Sequence, residues 1–123
     1  MFNLHQKVLP PSLRSLEALL FVGSQGGGKE KGEKPFETAK LALQLLEVLP
    51  GLASKGNANA VSDVGVAGLL ASAACKGALF NVDINLDSLP EDMATNIRRE
   101  APGILEKSRN LSRQIMDAVR DRI

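Results

Sequence analysis

The sequence predicts an all-α protein: a helical bundle with a long small-residue central helix and a long amphipathic C-terminal helix. Three observations predict it. Apolar residues recur at intervals of three and four from about residue 36 onward, and no run alternates apolar and polar residues over a useful strand length. Aromatic residues make up 3% of the chain, with no Trp or Tyr, so Leu, Ala, Val and Gly carry most of a 44% apolar fraction. That alphabet suits close-packed helices, whereas a β-sandwich draws on aromatic and β-branched strands. At 123 residues the chain has the length of one domain or part of one, and it holds no internal repeat.

The elements follow in order. After Pro10-Pro11, Ser12 can cap a short helix carrying Leu13, Leu16, Leu19 and Leu20 at helical spacing. Residues 23–34, GSQGGGKEKGEK, offer glycines and charges with no apolar face to bury, so they read as a flexible linker. A boundary there divides the chain into residues 1–33 and a helical domain, residues 34–123. Residues 36–49 carry Ala39, Ala42, Leu43, Leu45, Leu46 and Leu49 in a broad apolar stripe, which Pro50-Gly51 is expected to kink or stop.

Lys55-Gly56 supplies a cation and a C′ glycine to close that region, and a polar loop follows at residues 57–60. Ser62 is then a good N-cap, with Asp63 in the first turn of a helix running to about Asn85. Its middle is built from Gly65, Ala67, Gly68, Ala71, Ser72, Ala73, Ala74, Gly77 and Ala78, which let a neighbouring backbone approach closely. Each interior glycine costs about 1 kcal/mol of helix propensity, which packing has to offset. Ser88-Leu-Pro-Glu91 matches a capping box, and Met93, Ile97, Ala101, Ile104, Leu111, Ile115 and Ala118 then mark a long amphipathic helix, bent near Pro102-Gly103.

Composition excludes several classes of function. With 15 basic and 14 acidic residues interspersed, the net charge is +1 and no nucleic-acid partner is implied. Cys75 is the only cysteine, so no intrachain disulfide forms; it reads as a small buried filler in a cytoplasmic protein. No secretory leader is legible, and no uninterrupted apolar run approaches the roughly 20 residues of a membrane span, so no membrane contact is expected. His5, the sole histidine, has no partner for a metal site. Gly23 to Lys29 shows the G-x-x-x-x-G-K core of a phosphate-binding loop, but Glu30 stands where Ser or Thr must hold magnesium, and Gly32 and Pro35 interrupt the helix that should follow. Neither nucleotide nor metal is expected.

The run from Gly56 to Leu86, GNANAVSDVGVAGLLASAACKGALFNVDINL, is the chemically informative stretch. It puts Asn57, Asn59, Ser62 and Asp63 at the mouth of a helix whose free amides can bind an anion or carboxylate. Asn81 and Asn85 lie four apart and share a face farther along. The alternative reading is structural: Ser62 and Asp63 cap the helix, and the asparagines satisfy helix ends.

This run resembles the signature of the formiminotransferase-cyclodeaminase C-terminal domain and of its stand-alone relatives, the methenyltetrahydrofolate cyclohydrolases. The pattern is G-N-x-N-x-x-S-D-x-G-V-x-x-L-L, a small-residue run, then G-A-x-x-N-V-x-I-N-L, and the residues from Gly56 to Leu86 match it position by position. Lys34-Pro-Phe-Glu-Thr-Ala-Lys-Leu-Ala-Leu resembles the helix before the signature and the final helix resembles the family's C-terminal one, so the likeness covers about residues 34–123.

The resemblance implies an all-helical, usually dimeric domain of folate one-carbon metabolism. Its reactions are cyclodeamination of formimino-tetrahydrofolate, with loss of ammonia, or hydrolysis of the methenyl ring. A tetrahydrofolate derivative would be the substrate. Asp63, the only carboxylate in the signature loop, is then the candidate for polarising a pterin or mediating proton transfer, with Asn57, Asn59, Ser62, Asn81 and Asn85 as positioning donors and acceptors. The family's glycine-rich Pro-Gly-Gly-Gly-Ser turn is absent, and residues 1–33 resemble nothing in the family's first half. The expectation is therefore a partial domain that assembles as a homodimer or higher oligomer. A non-catalytic helical dimerisation module derived from the family is the rival reading.

Overall fold

The computed structural model describes residues 28–123. The expected helix after Ser12 and residues 23–27 of the expected linker lie outside the described residues. Three helices follow: α1 (Gly28–Lys55), α2 (Val61–Ile84) and α3 (Glu91–Arg120). Single 3-10 turns, Ala58–Ala60 and Leu86–Ser88, join them. No strand occurs among the described residues, as the all-α expectation requires.

Short connections make sequential neighbours antiparallel, so the bundle runs up, down, up. Gly65 faces Val119 and Gly68 faces Ile115, which fixes the antiparallel sense of α2 against α3. Ion pairs Lys40–Glu100 (3.4 Å) and Glu47–Lys107 (3.9 Å) show α1 and α3 running parallel. Along α2 the buried residues are Val61, Gly65, Gly68, Ser72, Cys75, Leu79 and Val82, with Ala71 and Ala78 beside them. Their alternating spacing of four and three is the repeat of a coiled-coil seam. The core falls in two clusters. One joins Phe36, Ala39 and Ala42 to Cys75, Ala78, Leu79, Val82 and Ile97; the other joins Leu46, Leu49 and Ala53 to Val61, Ala71, Ile115 and Val119.

Four local expectations need correction. Residues 28–34 are helical and belong to α1, not to a linker. Lys and Glu are good helix formers, and Gly32 has a packing role: a Cβ there would stand 2.5 Å from Leu89 Cδ1, so any larger residue would require the Leu89 side chain to shift. Pro50 does not stop α1, which continues to Lys55. Leu46, Leu49 and Ala53 hold that stretch on the core, and Ser54 Oγ donates to the carbonyls of Pro50 (3.1 Å) and Gly51 (3.3 Å).

Ser62 does not cap α2. The cap position is Ala60, with no side-chain bond, because the Asn57 side chain has already opened a 3-10 turn by accepting from Asn59 N at 3.0 Å. Ser88 likewise forms no capping box: its hydroxyl donates back to Asn85 O at 2.8 Å, and Pro90 takes the cap position of α3.

Gly56 does follow the last residue of α1, but no glycine among the described residues has a positive φ. Glycine is needed there for a close approach, since a Cβ would stand 2.5 Å from Leu52 O. The expectation that nothing in the chain reaches a membrane-spanning length is also too strong. The 27-residue segment Ala58–Ile84 is, by length and composition, long and apolar enough to cross one. Here it packs between α1 and α3 and carries Asp63, Lys76 and Asp83.

Candidate functional site

Two tertiary bonds position the loop before α2. Arg122, beyond the end of α3, donates through Nη1 to Ala53 O (3.0 Å) and Gly56 O (2.7 Å). These carbonyls close α1, whose last turn has no intrahelical donors left for them. The guanidinium thus ties the end of α3 to the residue preceding Asn57. The Ala58–Ala60 turn is closed by Ala60 N donating to Asn57 O at 2.9 Å. Asn57, Asn59, Ser62 and Asp63 all end up exposed around the start of α2. Asp63 lies in the first turn, where a carboxylate is favoured by the helix dipole, and the turn's amides have no side-chain cap. The four residues therefore form an open polar cluster at one end of the bundle.

Asn81 and Asn85 lie at the other end of α2. Asn85 Nδ2 donates to Asn81 O at 2.8 Å, so they share a face as their spacing implied, and Asn85 is the residue that closes α2. Both are half-buried. At 1.5 Å per residue, Asp63 and Asn81 are about 27 Å apart along the helix. One chain therefore does not bring the six predicted site residues together.

Two features escaped the sequence reading. A cavity of 490 Å³ lies between the second half of α2 and the middle of α3, lined by Lys76, Phe80 and Asp83 on one side and Arg98, Pro102 and Leu105 on the other. Arg98 there pairs with Asp87 at 3.6 Å. None of the six predicted residues lines it. The second feature is Ser108, fully buried, which hydrogen-bonds Cys75 and donates to Leu105 O at 2.8 Å. Burial pushes the Cys75 thiol above its ordinary value, with the Ser108 bond and the Lys76 charge opposing that shift. Ser108 occupies the gap in the α3 apolar pattern between Ile104 and Leu111, and that gap was the available signal. Among the described residues, no group of three His, Cys, Asp or Glu side chains is placed to hold a metal.

A model of the formiminotransferase-cyclodeaminase family matches residues 24–103. This chain belongs to the formiminotransferase-cyclodeaminase family. The match takes in α1, the Asn57–Asp63 loop, all of α2 and the first part of α3, and it begins ahead of the boundary expected at residue 34. A methenyltetrahydrofolate cyclohydrolase of Methylorubrum extorquens is 28% identical over 96 residues, which are 77% of this chain and 46% of that protein. The chain thus spans about half the length of the curated relative it matches.

Proposed function

We propose that this formiminotransferase-cyclodeaminase family chain contributes to a folate one-carbon site whose chemistry is the opening or closing of the methenyl bridge of tetrahydrofolate. The observation that carries the reading is the family match across the whole Asn57–Asp63 loop and α2, together with the exposed placement of that loop. The name of the matched relative favours hydrolysis over cyclodeamination.

Hydrolysis adds water to the carbon held between two ring nitrogens, forms a tetrahedral centre, and breaks one carbon–nitrogen bond with release of a proton. A carboxylate near that carbon speeds the step by taking the proton of the attacking water. Asp63 fills this role: it is the carboxylate at the exposed start of α2. Asn59 and Ser62 supply neighbouring polar groups. The Asn57 side-chain oxygen Oδ1 accepts from Asn59 N, which makes Asn57 a residue that shapes the loop.

The rival reading, a non-catalytic association module, draws on the exposed Leu41, Leu45, Val48 and Leu52 on α1 and Val66, Leu69, Leu70 and Phe80 on α2. An absorbance assay of methenyl-tetrahydrofolate separates the two. Enzyme-dependent decay lost in Asp63→Asn, with helix content unchanged, supports the catalytic reading. No decay above the spontaneous rate favours the association module.

A further inference from the structure

Helix α1 carries an apolar stripe that α2 and α3 do not bury. Leu41, Leu45, Val48 and Leu52 follow one another at spacings of four, three and four, and they are 64%, 46%, 57% and 51% exposed. That spacing holds them on one face of the helix. The stripe borders α2. Ala42 shares a core cluster with Ala78, and Leu49 shares the other cluster with Ala71, so these residues mark where the two helices meet. Leu41 and Val48 stand one residue before the α1 pair, and Gly77 and Leu70 one residue before the α2 pair. In antiparallel helices, one step back along each chain turns both side chains by about 100° to the same side of the contact. The α1 stripe therefore flanks one groove with Leu70 and Ile84 of α2, which are also exposed, over a floor of half-buried Ala74 and Gly77. The six large side chains present roughly 500 Å² of apolar surface, the size of patch that marks an interaction site.

Two observations name the occupant. The first is where α1 begins: Gly28 opens it at the end of the bundle where α2 closes, since Gly32 lies against Leu89 in the turn before α3. The 27 residues ahead of Gly28 therefore join the bundle at one end of the groove. The second is their pattern. The spacing of Leu13, Leu16 and Leu20 behind Ser12 predicts a short helix, and taken backward these leucines lie four and three apart, as Leu41, Leu45 and Val48 do forward. An antiparallel helix thus sets Leu20 beside Leu41, Leu16 beside Leu45 and Leu13 beside Val48.

We propose that residues 12–22 fold back along α1 as a fourth helix of the bundle, antiparallel to it, with their leucine face in the α1/α2 groove. The connection is long enough. In this register Val22 is level with Ala39, about 16 Å along α1 from Gly28 and about 9 Å across, a gap of roughly 19 Å. Six residue steps reach about 20 Å, and Gly23, Gly26 and Gly27 let the connection extend. A shift of one turn toward Gly28 would set Leu20 against Glu37, so the apolar pattern selects the register. The tether also selects the occupant. A segment held by so short a connection has an effective concentration in the millimolar range, which a second copy at micromolar concentration does not match. The patch is also smaller than the ~800 Å² per partner of a standard interface between chains, and fits one short helix. None of this rests on the folate reading.

Cysteine pairs in the full chain test the docking, on a Cys75→Ala background that leaves no other thiol. Under mild oxidation at low micromolar concentration, Leu16→Cys with Leu45→Cys should close a disulfide within one chain, and Leu16→Cys with Leu52→Cys, two turns farther along α1, should stay reduced. Alkylation of a lone Leu45→Cys should be slow and unchanged across a hundredfold dilution, and at least tenfold faster once Leu13→Glu and Leu20→Glu are added. Those two changes lie outside the three-helix core, so the core should still melt cooperatively. Disulfides only between chains, equal oxidation of the two pairs, protection that fades on dilution, or fast alkylation of the lone cysteine before the glutamates are added would each overturn the proposal. Folate turnover bears on the functional reading alone.

Discussion

Arg122 donates to Gly56 O at 2.7 Å across sixty-six residues of sequence, so the last turn of the chain holds the residue from which the Asn57–Asp63 loop departs. Its second bond, to Ala53 O, makes it the C-terminal cap of α1. Bonds from a charged donor to otherwise unpaired helix-end carbonyls contribute about 1–2 kcal/mol when partly exposed. Arg122→Ala should lower the free energy of urea unfolding by about that amount, and Arg122→Lys, which lacks the fork, should recover only part of it.

Gly68 is where α2 and α3 approach most closely among the helical glycines facing α3. A Cβ there would stand 2.9 Å from Ile115 Cγ2, whereas at Gly65 the nearest Val119 carbon is at an ordinary 3.5 Å. Gly68→Leu should therefore overpack the seam and cost about 1–3 kcal/mol. Gly65→Ala should be neutral or slightly stabilising, by lowering the entropy of the unfolded chain. Thermal melts of both variants check the contrast, and equal losses at the two positions would be inconsistent with this packing.

The Cys75 thiol is raised by burial, so the folded state holds its proton more tightly than the unfolded state does. Stability from this group is complete below the unfolded pKa of about 8.5 and is lost as the pH rises through the higher folded value. Unfolding free energy should accordingly decline above about pH 8.5, and Cys75→Ala should flatten that decline. The Ser108 bond lowers the thiol pKa, so Ser108→Ala should slow alkylation of the native protein further. Rates of iodoacetamide labelling against pH give the reading.

Legibility differed between elements for physical reasons. The α2 boundaries were read to within about one residue because a run of small residues between two polar loops supports little else. Its cap was misread because Ser62 and the Asn57 turn both offer to open a helix, and the winning choice depends on Asn57 accepting from Asn59 N. The start of α1 was misread as a linker because nothing local to residues 28–34 shows that Leu89 will lie against Gly32. Ser108 was passed over because a serine in an apolar pattern looks like a defect until Cys75 is seen to face it.

By itself, the sequence determined that the described chain is helical, which face of each long helix is apolar, and which signature the loop and α2 carry, since all three are written in spacing and residue type. Tertiary structure decided what adjacency means. It placed Asn57, Asn59, Ser62 and Asp63 at one end of a rigid helix and Asn81 and Asn85 at the other, and it left Val66, Leu70, Phe80 and Ile84 exposed while burying the opposite face of α2. A helix rises 1.5 Å per residue whatever its sequence, so residues close in a motif become distant in space until a second element brings them together.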